Sequence, residues 1–262
     1  MHEIENRSSY CHICRQTLTS ENRCKAHILP RSFYEYFYPD DFGSTIRTID
    51  KDITRIEKIP TGIYDSNILC RDCDGKLGEY DKYFLIFLKG YKRKMIKMPG
   101  SKKPIWVVHG FDQQKLKLFI LSYAFRASIT ERREFITFRL KKSDYVKIRN
   151  ILLDKSGLDK YTIYCAKYSK YDESLILAPK KIPGSRGKRI RYIIPIPNNF
   201  VFIVLPKFMS PLKYKANGSI SSSRSGFFIG ETDEYYENKI VKQEMLPKLE
   251  SILELYNNKT AK

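Results

Sequence analysis

The sequence predicts an α+β protein with a cysteine-rich N-terminal part and a larger, more basic mixed region behind it. Three observations point there: two Cys-X-X-Cys pairs in the first 73 residues, helical and β-branched runs mingled after residue 110, and a formal net charge of +19 over 262 residues. At 42% hydrophobic and 29% charged residues, the chain has the composition of a folded domain, which excludes a disordered tail or a fibrous repeat. No apolar run approaches the ~18 residues of a membrane span, and MHEIENRSSY lacks the apolar core of a signal peptide. A cytoplasmic protein with no membrane partner is expected.

Taken in order, the first 98 residues are read as a metal-knuckle domain and residues 99–262 as a basic α+β domain for DNA binding or oligomerisation, with the break near Pro99 to Pro104. Past the break, Asp112 is placed to cap a helix through KLKLFILSYAFRAS, which is apolar on nearly every face and so is expected in the core. A second helix is expected from Ser143 to about Lys155, ended by Gly157. Runs of β-branched and aromatic residues at Tyr161 to Cys165 and Ile190 to Leu205 read as strands, with Pro195 and Pro197 forcing a break or an edge in the second. Ile240, Met245, Leu246, Leu249, Ile252 and Leu253 form an apolar stripe that suggests a last helix, which Pro247 should reset. Most of the 19 Tyr and 15 Phe are assigned to the core, Tyr34, Phe37 and Tyr38 among them.

The charge is unevenly spread. Residues 1–100 carry 17 basic and 14 acidic side chains, whereas residues 101–262 carry 31 and 15. Such a surface attracts a polyanion. Two acid-free stretches, Lys89–Lys103 and Lys180–Arg191, are punctuated by Gly and Pro like exposed loops. In the second, Lys180, Lys181, Arg186, Lys188, Arg189 and Arg191 are candidates to track a phosphate backbone. The alternative is a solvated charge run without a partner.

The chemistry lies before residue 85. Cys11 and Cys14 in CHIC and Cys70 and Cys73 in CRDC are two knuckles whose thiolates can reach one tetrahedral ion, and four thiolates suit structural Zn2+. Cys24 and Cys165 lack partner spacing and are read as buried thiols. His12, inside the first knuckle, should face solvent or the surroundings of the metal.

Between the knuckles stands KAHILPRSF, and NILC runs into the second one, followed by Asp74 and Lys76. Cys-X-X-Cys, His-Ile-Leu-Pro, then Asn-Ile-Leu-Cys-X-X-Cys-Asp-X-Lys resembles the HNH endonucleases with their ββα-metal core, over roughly residues 8–85. The resemblance implies an N-terminal ββα-metal fold in which His27 ends the first strand of a hairpin as general base, Asn67 orients it from the second strand, and Asp74 on the following helix binds a catalytic Mg2+ or Mn2+. It implies a metal-dependent endonuclease acting on DNA, duplex above all, in a restriction or phage-defence setting. A homodimer would let two such centres cut opposite strands.

Those residue types make chemical sense independently. Water attacks a phosphodiester only if something takes its proton and something neutralises charge on the phosphate oxygens. A histidine, with a reference pKa of ~6.5, suits the first task, and a hard oxygen ligand with a divalent ion suits the second. Lys76 at the helix start can bear on a bound phosphate. Arg31 can clamp one bidentately or form a surface salt bridge. Asn67 can equally cap a turn, and His27 can be a hydrogen-bonded neighbour of the knuckles. One departure stands out: Ala26 occupies a position where many HNH enzymes carry a metal-binding Asp or His, and Ala coordinates nothing. The competing expectation is therefore a catalytically silent, zinc-containing protein that binds nucleic acid.

Overall fold

In a computed structural model the protein is described at residues 10–37, 47–49, 56–58, 62–96, 105–168, 175–176, 178–183, 190–196, 200–206, 219–220 and 226–232. It mixes helices and strands, as expected. Two short strands, β1 (Ala26–His27) and β4 (Tyr64–Asp65), pair antiparallel with His27 opposite Tyr64. The Ile28 amide extends the ladder by donating to the Ile63 carbonyl at 2.9 Å. Between them come helix α1 (Arg31–Phe37) and the strands β2 (Arg47–Ile49) and β3 (Ile56–Lys58), which pair with each other. Gly62, just before β4, has φ +80°, and a Cβ there would sit 2.6 Å from the Tyr34 ring. Only glycine fits that crossing. Tyr34 is fully buried, and its hydroxyl accepts a hydrogen bond from the Ile63 amide.

Helix α2 (Arg71–Gly90) begins inside the second knuckle, with Cys70 at its N-cap and Asp72 and Asp74 in its first turn, where carboxylates complement the positive end of the helix dipole. Helix α3 (Gln113–Ile129) starts as the sequence says: the Asp112 carboxylate accepts from the amides of Gln114 and Lys115. Every residue from Leu116 to Ser128 is buried, which explains why its pattern shows no polar face. Helix α4 (Lys142–Asp154) ends with Lys155 left-handed at φ 63° and Gly157 at φ 72°, two residues on.

The large sheet takes β5 (Lys92–Ile96), β6 (Ile105–His109), β7 (Tyr161–Tyr168), β9 (Lys180–Pro183), β10 (Ile190–Ile196), β11 (Phe200–Pro206) and β13 (Gly226–Thr232), while β8 (Leu175–Ile176) pairs with β2 instead. Its order is β5-β6-β13-β7-β11-β10-β9, and β12 (Ser219–Ile220) lies beside β13 along the same flank of β7. The run from Ile190 is a hairpin, β10 paired with β11. Pro195 stays inside β10 because β9 pairs only as far as Ile193, so the strand is an edge where the missing N–H falls. Pro197, residues 97–104, Tyr38 and the stripe from Ile240 lie outside the described residues.

One core joins these elements. Phe84 of α2 stacks on Phe119 of α3 at 4.0 Å between centroids; Phe33 of α1 lies 5.5 Å from both, and Phe202 of β11 meets Phe84 edge-on at 5.9 Å. A single cluster of buried residues runs from Cys11 to Val204, across the 98/99 boundary drawn from sequence. Among the described residues no helix is long and apolar enough to cross a membrane.

Candidate metal centre and the adjoining hairpin

The first knuckle is a tight turn. Thr17 bridges back to Tyr10, the Cys11 amide donates to the Gln16 carbonyl, and Arg15 takes the left-handed conformation at φ 70° that turns the chain. The second knuckle is brought to it by backbone hydrogen bonds from His12 to Ile68 (2.9 Å) and from Arg71 to Asn22 (2.8 Å). As a result the ligand atoms of Cys11, Cys14, Cys70 and Cys73 all lie within 4.8 Å of one another. A tetrahedral ion with ~2.3 Å metal–sulfur bonds sets its sulfurs about 3.8 Å apart. The Sγ atoms of Cys14 and Cys70 are separated by 3.8 Å. The four residues thus fit a metal such as zinc.

Of these thiols, Cys11 is shifted toward the thiolate, while burial raises Cys70. A hydrogen bond from the Cys73 thiol holds Cys11 well below the usual thiol range against the opposing effect of burial, while Cys73, which donates, is pushed up. Of the two remaining cysteines, Cys165 is buried with its thiol raised by burial, and Cys24 is half-buried, raised to about 12 by burial and by the nearby Asp74 charge.

Around the knuckle, the His12 Nδ1 lies 3.1 Å from the Tyr145 hydroxyl of α4, and Arg149 donates to the Ile13 carbonyl at 2.7 Å. Burial, and then the Arg15 guanidinium, lower the His12 imidazole below its ordinary value. Histidine 12 is therefore half-buried against α4, in the surroundings of the thiols.

The hairpin sits beside this cluster. His27 ends β1, and its ring lies 5.9 Å from that of Tyr64. Asp74, on the first turn of α2, is half-buried. Burial raises the Asp74 carboxyl above the usual range; Arg126, His27 and a hydrogen bond from the Cys24 thiol work the other way, and Asp81 adds to the rise. Asn67 lies in the bend two residues beyond β4, not on the strand, and its side chain is exposed. Its backbone amide donates to Asp65 at 2.9 Å, the turn geometry that an Asx residue favours.

Arg126 was not singled out from the sequence, because a lone arginine in an otherwise apolar helix carries no motif. Its side chain is 1% exposed, and its guanidinium meets Asp81 bidentately at 2.9 and 2.7 Å while donating to the His27 carbonyl at 2.9 Å. It therefore ties β1 and α2 to α3. Thr130 makes a second tie, its hydroxyl donating to Asp65 at 2.7 Å.

The expected phosphate contacts are dispersed. Arg31 is exposed and pairs with Glu35 at 3.0 Å, the salt-bridge alternative. Lys76 is exposed on α2, Lys181 exposed on β9 and Lys180 half-buried there, its amine lowered by desolvation. Arg191, on β10 opposite Ile182, is half-buried. Arg186, Lys188 and Arg189 lie outside the described residues. Among the described residues no second group of three or more His, Cys, Asp or Glu ligands converges.

Fold and site define a basic α+β protein with a candidate four-cysteine metal centre and a two-stranded antiparallel sheet, β1 with β4. Comparison of the chain with family models, curated proteins and solved structures finds no match in any of them.

Proposed function

We propose that the protein is a metal-dependent endonuclease of the HNH type that hydrolyses DNA phosphodiester bonds. The observation supporting the reading is that the two knuckles converge into one four-thiol cluster in a chain where His27 ends strand β1, paired with β4, and Asp74 stands on the first turn of the helix that carries Cys73. In this reading zinc on Cys11, Cys14, Cys70 and Cys73 fixes the scaffold. His27 takes the proton of the attacking water. Arg126 orients it from behind by fixing its backbone carbonyl, and Tyr64 limits the ring's swing. Asp74 is the residue that would hold a catalytic Mg2+ or Mn2+, which when bound would neutralise charge on the phosphate oxygens. Asn67, exposed in its bend, serves as a turn residue that positions Asp65 and the approach to the second knuckle. The net positive charge downstream supplies sequence-independent affinity for duplex phosphates.

Purified protein with Mg2+ or Mn2+ is expected to nick or linearise plasmid DNA, and His27→Ala to abolish cutting while zinc content stays at one ion per chain. Equal cutting by the variant removes His27 from the chemistry. A second reading, a silent zinc-containing nucleic-acid binder, is favoured by one observation: Ala26 beside His27 is fully buried and has no ligand atom to offer. Salt-dependent DNA binding without cleavage in any divalent ion would select it.

A further inference from the structure

The two faces of the β1–β4 hairpin carry different kinds of residue. Cross-strand partners share a face, and residues two apart on a strand do too. Ala26 and Asp65 are partners on one face, where Ala26 is fully buried and Asp65 is anchored by Thr130. His27 and Tyr64 are partners on the other, and Lys25, two residues before His27, joins them: its Nζ lies 5.2 Å from the centroid of the Tyr64 ring. Lys25 is exposed, and among the described residues no carboxylate pairs with it. An exposed ammonium held over a half-buried aromatic ring exchanges readily for a phosphate, because the cation–π contact is weak in water and the phosphate contact is charge-assisted.

Building on the nuclease reading of this hairpin, we propose that Lys25 binds the substrate phosphate beside His27, and that Tyr64 is a positioning residue whose ring holds the Lys25 ammonium and the His27 imidazole on the same side. The cation stands one residue from Ala26, on the neighbouring face, so it supplies positive charge at a hairpin that lacks a ligand at that position. Lysine fits the task because its ammonium is a compact point charge on a flexible stem, able to follow a phosphate as the backbone bends.

The test compares Lys25→Met, Lys25→Arg, Tyr64→Phe, Tyr64→Leu and His27→Ala with the unaltered full chain. Labelled duplex oligonucleotide binding is followed by fluorescence anisotropy across a salt series, and cleavage is followed by single-turnover kinetics in Mg2+ or Mn2+. Lys25→Met is expected to weaken binding and lower kcat/KM on the order of tenfold, the scale of one hydrogen bond to a charged group, and to reduce the salt slope by about one. Lys25→Arg should restore most of both. Tyr64→Leu should act like Lys25→Met, and Tyr64→Phe, which keeps the ring, should recover most of what Tyr64→Leu loses, with zinc content and thermal unfolding unchanged in all four. Unaltered binding and cleavage in Lys25→Met overturn the proposal. Absence of cleavage in the unaltered protein, or full cleavage by His27→Ala, overturns the nuclease reading instead; the Lys25 contact then stands if Lys25→Met loses affinity and salt slope, and falls if it does not.

Discussion

Breaking the Arg126–Asp81 pair should reveal how strongly the second helix and the hairpin depend on α3. The guanidinium is 1% and the Asp81 side chain 12% exposed, so neither charge can be rehydrated in place when its partner is removed. Truncating one member of such a pair costs about 3–5 kcal/mol, because a buried charge is left uncompensated. Arg126→Met is expected to lose that amount, having also taken the donor from the His27 carbonyl, and Asp81→Leu a similar amount. In Arg126→Met/Asp81→Leu no charge is stranded, and the remaining loss is the donor to the His27 carbonyl and to Ser122, about 1–3 kcal/mol. The double variant should therefore be more stable than either single one. Equilibrium urea unfolding of the zinc-loaded protein, followed by circular dichroism with a shared m-value, measures all four species. A double variant that loses the sum of the single losses would refute the reasoning and reduce the pair to two independent contributions.

Two further outcomes follow from the geometry. Cys70→Ser should lower bound zinc from one ion per chain and lower the unfolding midpoint, and a chelator should do the same to the unaltered protein; atomic absorption with a thermal scan checks this, and an unchanged midpoint in both would detach the cluster from stability. Tyr161 and Tyr192 both donate to the buried Asp144 carboxylate, at 3.0 and 2.6 Å, and burial followed by that charge raises both phenols. Since the folded phenols titrate above the unfolded value of about 10, their contribution is intact below that pH and is lost as pH climbs through the raised range. Phenolate absorbance of these two should thus appear only with alkaline unfolding, and ionisation near 10 in a still-folded chain would contradict it.

Much of this was legible in the sequence wherever a local rule and the tertiary environment agree. Asp112 reads as a helix cap and caps α3, the left-handed Lys155 and Gly157 lie where α4 was expected to stop, and the four knuckle cysteines converge. Pairings across long separations were not legible. Nothing local says that β13 lies parallel to β7, that His12 meets Tyr145, or that β8 leaves its neighbours to pair with β2. The candidate site shows the same division. His27 and Asp74 stand in motifs with recognisable spacing, whereas Arg126 and Thr130 act on the hairpin from 99 and 65 residues away and carry no signature of their own.

Because Arg126 grips residue 27 through its main-chain carbonyl, the grip does not depend on which side chain is mounted there. Anchorage of the strand and the identity of the side chain at position 27 are therefore carried by different atoms of one residue. The imidazole can be exchanged for another group while the strand remains held, so a substitution there reports on the side chain separately from the fold.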